Sequence, residues 1–472
     1  MNAGPGAGRP PGHWLQQQAD QQAQATALVL PDGALDYATL QSLTAQLCHV
    51  LRGHGMGAGA ILVVESRSTA LLALLLHAAL YGDFVLFPLD PRLPEGQRAR
   101  LLEQGCADIL VVDEDNEHYT PGIDAITATD LLAQAVQAKP VFPLALPVAG
   151  DRSRLLLATS GSSGIPKLVT LTDDNLEASV QAANERLGVT SHCVWLDCLS
   201  LAHIGGLAIP LRCVRQGASV VLHEGFDAHA VMQDLHRHNV SHISLVPAML
   251  SRLLDLNTEP PPSLQVALIG GAPLDAGLAQ TALDRGWPVW VTYGMTETAS
   301  MVTARRLQPL QDDPRQVGVA LRGLEVRLVD DVIQVRGAAV CRRAGQPCGQ
   351  WLSTGDRGRL DAAGQLTILG RRDEMLLSGG EKVHPEAVER LLVRCPGVDR
   401  VAVTGQPDPV WGEKVVAVYC GDIDEATLAQ LCRDGIKGAQ RPRAFLKVDA
   451  LPLTTSGKPD RAALRRLVAD RL

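Results

Sequence analysis

Through the first two thirds of the chain, short apolar runs alternate with stretches whose apolar positions recur at helical spacing. Ile61-Leu62-Val63-Val64 predicts a strand, Ser68 to Tyr81 a helix, Phe84 to Leu89 a strand, Glu95 to Gln104 a helix and Ile109 to Val112 another strand. Such βαβ alternation implies a largely parallel sheet covered by helices. A second wave begins near Val194, with strands at Ser219 to Leu222, Ile243 to Val246 and Val266 to Ile269 and an amphipathic helix at Ala228 to His238. Beyond Gly318, Glu325 to Val329, Val332 to Arg336 and Leu366 to Leu369 alternate at period two, as a small antiparallel sheet would. After Gly370 a new unit starts, with a helix at Pro385 to Val393, strands at Arg400 to Thr404 and Lys414 to Tyr419, and a terminal helix at Arg461 to Arg471.

The expected fold is therefore α/β: a large N-terminal domain of layered αβ sheets plus a small antiparallel sheet, followed by a smaller α+β C-terminal domain. Residues 1–25 read as a flexible tail, because Gly and Pro crowd its start, 26–370 as the large domain and 371–472 as the small one. A length of 472 residues exceeds what one core supports, in keeping with two domains. The longest apolar stretch, Ala70 to Tyr81, is interrupted by His77 and too short for a membrane span. A net charge of −8 without a basic stripe argues against nucleic-acid binding, so an anionic ligand must be held by local donors. Ten cysteines without a Cys-x-x-Cys pair suit reduced thiols and a cytoplasmic location. Cys193, Cys198 and His203 miss zinc-site spacing. Gly53, Gly55, Gly57 and Gly59 precede a strand, whereas a dinucleotide fingerprint follows one.

Directly after the apolar run Leu155 to Ala158 stands Thr159-Ser160-Gly161-Ser162-Ser163-Gly164-Ile165-Pro166-Lys167. Its glycines let backbone approach an anion, its hydroxyls and N–H groups donate, and Lys167 adds positive charge, so the loop can cradle phosphates. It lacks the Gly-x-x-x-x-Gly-Lys spacing of a Walker A loop. Further stretches follow in order: Tyr293-Gly294-Met295-Thr296-Glu297, Ser353-Thr354-Gly355-Asp356, Gly370-Arg371-Arg372-Asp373 leading into Ser378-Gly379-Gly380-Glu381-Lys382, and Thr455-Ser456-Gly457-Lys458. Together they resemble the adenylate-forming enzymes, the superfamily of acyl-CoA synthetases, adenylation domains of peptide synthetases and beetle luciferases. The resemblance covers nearly the whole chain.

It implies a two-step reaction. A carboxylate attacks the α-phosphorus of ATP and pyrophosphate leaves; a thiol then attacks the acyl carbon and AMP leaves. Such chemistry needs positioning and charge neutralisation more than a covalent nucleophile. By the resemblance, the loop from Thr159 through Ser160, Gly161, Ser162, Ser163 and Gly164 to Lys167 holds the β- and γ-phosphates, and Gly270, Gly271, Ala272 and Pro273 lie along adenine. Tyr293, followed by Gly294, stacks on the adenine ring, Thr296 bonds the α-phosphate, Glu297 holds Mg2+, and Asp356 and Arg371 fix the ribose. Lys458 bridges the attacking carboxylate and the α-phosphate in the first step. A mobile small domain then turns about a hinge at Asp373, and Gly379 and Gly380 make room for a pantetheine tunnel. His203 matches a position between the acyl pocket and the nucleotide; relatives usually carry an aromatic before it, where this chain has Ala202.

The expected activity is an ATP-dependent carboxylic acid–CoA ligase, an AMP-forming acyl-CoA synthetase using ATP, Mg2+ and coenzyme A with a small carboxylic acid. The short chain, the compact segment between the phosphate loop and Ala272, Ser378 to Glu381 and His242 to Pro247 are similar to o-succinylbenzoate-CoA ligases of menaquinone synthesis. Two alternatives stay open: a stand-alone adenylation enzyme that loads an acid onto a carrier protein's phosphopantetheine, and a catalytically silent nucleotide-binding regulator. Met295 stands where peptide-synthetase domains commonly have Pro, which tilts away from amino acids, and a binding module has no need of Lys458.

Overall fold

The computed structural model describes residues 13–114, 123–140, 151–159, 167–309, 312–341, 349–372, 374–453 and 459–472. The chain divides into two compact units. The first comprises Met1–Val326, Val335–Leu352 and Ala362–Leu366, and the second Arg327–Gln334, Ser353–Asp361 and Thr367–Leu472.

The first unit contains β1 (Thr26–Leu30), β2 (Gly33–Asp36), β3 (Ile61–Glu65), β4 (Val85–Pro88), β5 (Ile109–Val112), β6 (Asp124–Thr127) and β7 (Ser153–Thr159). It continues with β8 (Lys167–Thr172), β9 (Val194–Asp197), β10 (Ser219–Leu222), β11 (His242–Leu245), β12 (Val266–Ile269), β13 (Val289–Met295) and β14 (Ser300–Arg306). One sheet runs β6-β5-β3-β4-β7-β8 and another β14-β13-β12-β11-β9-β10-β1-β2. Pairing is parallel in the interior of both, and antiparallel only for β7 with β8, β13 with β14 and β1 with β2. The expected α/β architecture is thus present.

Burial explains the local sequences. Leu62, Val63 and Val64 of β3 lose all exposure, so this central strand reads as a continuous apolar run. The helix Thr69–Gly82 is apolar all round because it is buried all round, and Ser68 caps it by accepting from Leu71 N at 3.3 Å. Burial pushes His77 within it down to about 4, so the ring is neutral. The expected flexible tail needs correction from residue 13 onward. Trp14–Gln22 is a helix with Trp14 and Leu15 buried, and Gln22 Nε2 donates to Gly217 O at 2.9 Å. The signal missed was an apolar pair followed by a run of Gln and Ala, hidden behind the Gly/Pro-rich start.

A buried ion network ties the ends of β7 and β8. Arg154, 1% exposed, donates to both carboxylate oxygens of Asp173 at 2.7 and 3.0 Å and to Asp83 Oδ1 at 2.6 Å. Asp173 opens the helix Asp173–Leu187, whose N-terminus is closed by a capping box of Thr172 and Asn175.

In the second unit, strands Glu381–Val383, Leu376–Ser378, Gly412–Cys420 and Arg400–Asp408 form a sheet, with Ala444–Lys447 pairing parallel to Gly412–Cys420. Period-two alternation sends Val415, Ala417 and Tyr419 to a core shared with Val388, Leu392, Leu428 and Cys432. Val416, Val418 and Cys420 point the other way, toward Leu464 and Val468 of the terminal helix Arg461–Arg471. Strands Leu324–Val329, Val332–Gly337, Leu352–Leu360 and Leu366–Arg371 occupy the region where the small antiparallel sheet was expected; each is divided between the two units. Among the described residues no helix is long and apolar enough to cross a membrane.

Candidate active site

In the first unit the motif residues gather at the carboxyl ends of parallel strands, where α/β sheets bind ligands. Gly270 and Gly271 follow β12. Gly270 N donates to Leu245 O at 3.1 Å, and a Cβ on Gly270 would come within 2.8 Å of Thr292 Cγ2. Gly271 has φ +77, a conformation glycine adopts without strain. The chain continues through half-buried Ala272 and exposed Pro273, which leaves a strip of accessible backbone beside β13.

Tyr293 and Gly294 end β13, and Thr296 and Glu297 form a tight turn into β14, with Met295 paired to Ser300 and Gly294 to Met301. The strands come so close that a Cβ on Gly294 would lie 1.8 Å from Ser300 O, which is why glycine stands in the motif. The turn closes through two non-glycine residues at positive φ, Ala299 at 49° and Ser300 at 107°. Residues in such regions cost of order 1–3 kcal/mol each and persist only where their surroundings hold them.

Glu297 is half-buried, and its carboxylate has no ion-pair partner among the described residues. Its carbonyl accepts from Cys341 N at 2.8 Å, which fixes the backbone and leaves the side chain for a ligand. A carboxylate next in sequence to a threonine hydroxyl is a hard oxygen donor set suited to Mg2+, which takes few protein ligands and completes its shell with phosphate oxygens and water.

Strand β8 packs against the turn Thr296–Thr298. Lys167 is its first residue, exposed and paired in register with Thr159, whose Oγ1 donates to Lys167 O at 3.2 Å. Both ends of the loop expected to hold phosphate therefore belong to one antiparallel pair. Ser160, Gly161, Ser162, Ser163 and Gly164 lie outside the described residues.

His203 is half-buried at the start of the helix Ile204–Gln216, just past β9. It lies near Asp90, a buried residue beyond the end of β4. Burial pushes the Asp90 carboxyl up, but hydrogen bonds from Arg92, at 2.9 Å from both Nε and Nη2, and the nearby His203 outweigh it, so Asp90 titrates below its ordinary value. Asp90 and Arg92 escaped the sequence reading, since the segment Leu89-Asp90-Pro91-Arg92 looks like an ordinary turn.

In the second unit, Arg371 Nη1 donates to Asp356 Oδ1 at 3.2 Å and to Thr354 O at 3.3 Å. Gly355, at φ +79, lets the chain bend there, and a Cβ on it would come within 3.2 Å of the Arg371 guanidinium. Thr354 braces the bend by accepting from Asp356 N at 3.1 Å and donating to Ile333 O at 2.9 Å. Arg371 thus holds the carboxylate from behind, and Thr354 holds the backbone that carries it. Gly379, at φ +59, donates to Trp411 O at 2.8 Å, and a Cβ on it would strike the Trp411 ring at 2.9 Å. Gly380, at φ +79, has open space around it. Asp373 and Lys458 lie outside the described residues.

A model of the family described as AMP-binding enzyme matches residues 15–342, and one described as the AMP-binding enzyme C-terminal domain matches residues 387–458. The 2-succinylbenzoate–CoA ligase of Bacillus subtilis (strain 168) is 29% identical over 469 residues, covering 94% of this chain and 96% of that one. The o-succinylbenzoate CoA synthetase of Bacillus subtilis, in complex with the acyl-adenylate intermediate OSB-AMP, is 28% identical with a TM-score of 0.89 over 97% of this chain and 98% of that one. The same synthetase in complex with ATP and magnesium ion is 27% identical with a TM-score of 0.87 over 96% and 99%.

Proposed function

Since the chain belongs to the AMP-binding enzyme family, we propose that it joins o-succinylbenzoate to coenzyme A with ATP, through an acyl-adenylate, releasing AMP and pyrophosphate. The observation that carries this reading is the likeness, over 97% of the chain, to a synthetase solved with its acyl-adenylate. Glu297, which has no ion-pair partner among the described residues, and Asp356, backed by Arg371, support it.

In the first step, Lys167 and the donors around Thr159 hold the β- and γ-phosphates. Tyr293 stacks on adenine, the strip Gly270 to Pro273 lies along it, and Asp356 accepts from the ribose hydroxyls with Arg371 behind it. Thr296 donates to the α-phosphate. Glu297 holds Mg2+, which when bound neutralises phosphate charge. Lys458 adds its point charge as the carboxylate attacks in line and the phosphorus–oxygen bond to pyrophosphate breaks. In the second step the pantetheine thiol attacks the acyl carbon and AMP departs, with Gly379 and Gly380 leaving room for the thiol's approach. His203 lies between acyl group and nucleotide, and Ala202 leaves the acyl side wide. The functional boundary falls at residue 371, with Asp373 as the hinge. No disulfide joins the described cysteines to one another, which suits a reducing cytoplasm.

The test is mass-spectrometric analysis of products from the purified protein with Mg-ATP, CoA and a panel of acids: o-succinylbenzoate, aryl acids and medium-chain fatty acids. A CoA thioester of o-succinylbenzoate with stoichiometric AMP is the expected result. A thioester of another acid overturns the substrate, and an acyl-adenylate that never reaches CoA overturns the acceptor in favour of a carrier protein.

A further inference from the structure

The turn that carries Thr296 and Glu297 is held from outside its own motif. Ser179 Oγ, on the helix Asp173–Leu187, donates to Ala299 O at 2.6 Å, a contact spanning 120 positions of sequence. Thr298 Oγ1 accepts from Met295 N at 3.1 Å and shares its proton between Met295 O and Ser300 O, both at 3.0 Å. Arg212 Nη2 donates to Ser300 Oγ at 3.0 Å. Ser179 is 3% exposed and Thr298 fully buried, so water cannot replace these partners. They converge on Ala299 and Ser300, the two residues at positive φ.

Ser179 stands on a rigid base. Its helix begins at Asp173, gripped by Arg154, and Ser179 lies about 9 Å along it at 1.5 Å per residue. The same helix follows β8, the strand that opens with Lys167. One element thus begins beside the phosphate-holding strand and ends its second turn on the magnesium-holding turn.

We propose that Ser179 is a positioning residue for adenylation: its hydrogen bond locks the Ala299 peptide and thereby aims the Glu297 carboxylate at the metal-bound phosphates. Ser179 itself touches no substrate. Without the bond, Ala299 is free to leave the left-handed region, which a side-chain-bearing residue occupies only under constraint, and the Glu297 carboxylate is no longer held on its target. The inference rests on the reading that Glu297 holds the magnesium.

The experiment is calorimetric titration of the full chain with ATP at a series of magnesium concentrations and in EDTA, for the native protein, Ser179→Ala and Glu297→Gln, with melting temperatures alongside. Ser179→Ala is expected to raise the magnesium concentration for half-maximal gain in ATP affinity by roughly three- to tenfold, the size of one neutral hydrogen bond. ATP affinity in EDTA is expected to stay unchanged. A Ser179→Ala curve that superimposes on the native one, with only the melting temperature lowered, overturns the proposal while a shifted Glu297→Gln curve keeps the metal assignment. A Glu297→Gln curve that does not shift overturns the metal assignment and the proposal with it.

Discussion

Asp356 and Glu386 are carboxyl groups of the second unit with opposite fates. Asp356 is backed by Arg371 at 3.2 Å and so stands ready to accept from a diol. A hydrogen bond to a charged group contributes about 1.5–3 kcal/mol, so Asp356→Ala is expected to raise the KM for ATP by at least about tenfold, measured by pyrophosphate release. Glu386 packs against Gly370, where a Cβ would come within 2.8 Å of its Oε2. Burial first, then Glu389 and Glu374, push it up to about 7, against the pull of Arg461 and Arg390. A carboxyl raised in the folded state stabilises the fold below its unfolded value near 4.5, and that contribution disappears as pH rises through about 7. Glu386→Gln is therefore expected to remove a stability loss on the order of 2 kcal/mol between pH 5 and 8, read from urea unfolding across that range. Of the two, only Asp356 was legible in sequence, through its Thr-Gly-Asp context; of the four charged neighbours of Glu386, Glu374 and Arg461 lie too far along the chain to be announced by its local spacing.

Two antiparallel edge pairs, β7 with β8 and β13 with β14, carry the first unit's motif loops, and both depend on contacts that anchor their bases. Arg154 lies between two buried carboxylates, and removing it strips Asp173 of its hydrogen-bonded cation, while Asp83 keeps Arg152 at 2.9 Å. Arg154→Ala should destabilise the protein by about 3–5 kcal/mol, seen as a lowered denaturation midpoint. At the other edge, Gly294→Ala would press a Cβ to 1.8 Å from Ser300 O, backbone against side chain, so the turn must shift. Displacing reacting groups by about 1 Å costs roughly a hundredfold in rate, and Gly294→Ala should lower adenylation by that order. The sequence showed that these motif stretches exist and that an apolar run precedes the first of them. It did not show that Thr159 faces Lys167 or that β8 packs against Thr296–Thr298, because register and sheet order depend on partners far along the chain.

For the whole molecule, the proposed mechanism assigns the two half-reactions to different residues. Lys458→Ala is expected to depress adenylation strongly and to spare thioester formation from preformed acyl-adenylate; equal loss of both rates would refute the assignment. The sequence by itself determined the α/β class, since buried parallel strands such as β3 and all-round-buried helices such as Thr69–Gly82 must be apolar runs of particular length and period. It also determined the family, because ordered motifs of glycine, hydroxyl, carboxylate and lysine carry their chemistry in residue type. Only the tertiary structure decided that Trp14–Gln22 is a docked helix, that Asp90 lies near His203, and that Ser179 bonds the turn after Glu297. These contacts join residues about a hundred or more positions apart, and their side chains are chosen by the single neighbour they meet in the folded core. No period or local spacing records such a meeting, so it leaves no trace in one sequence.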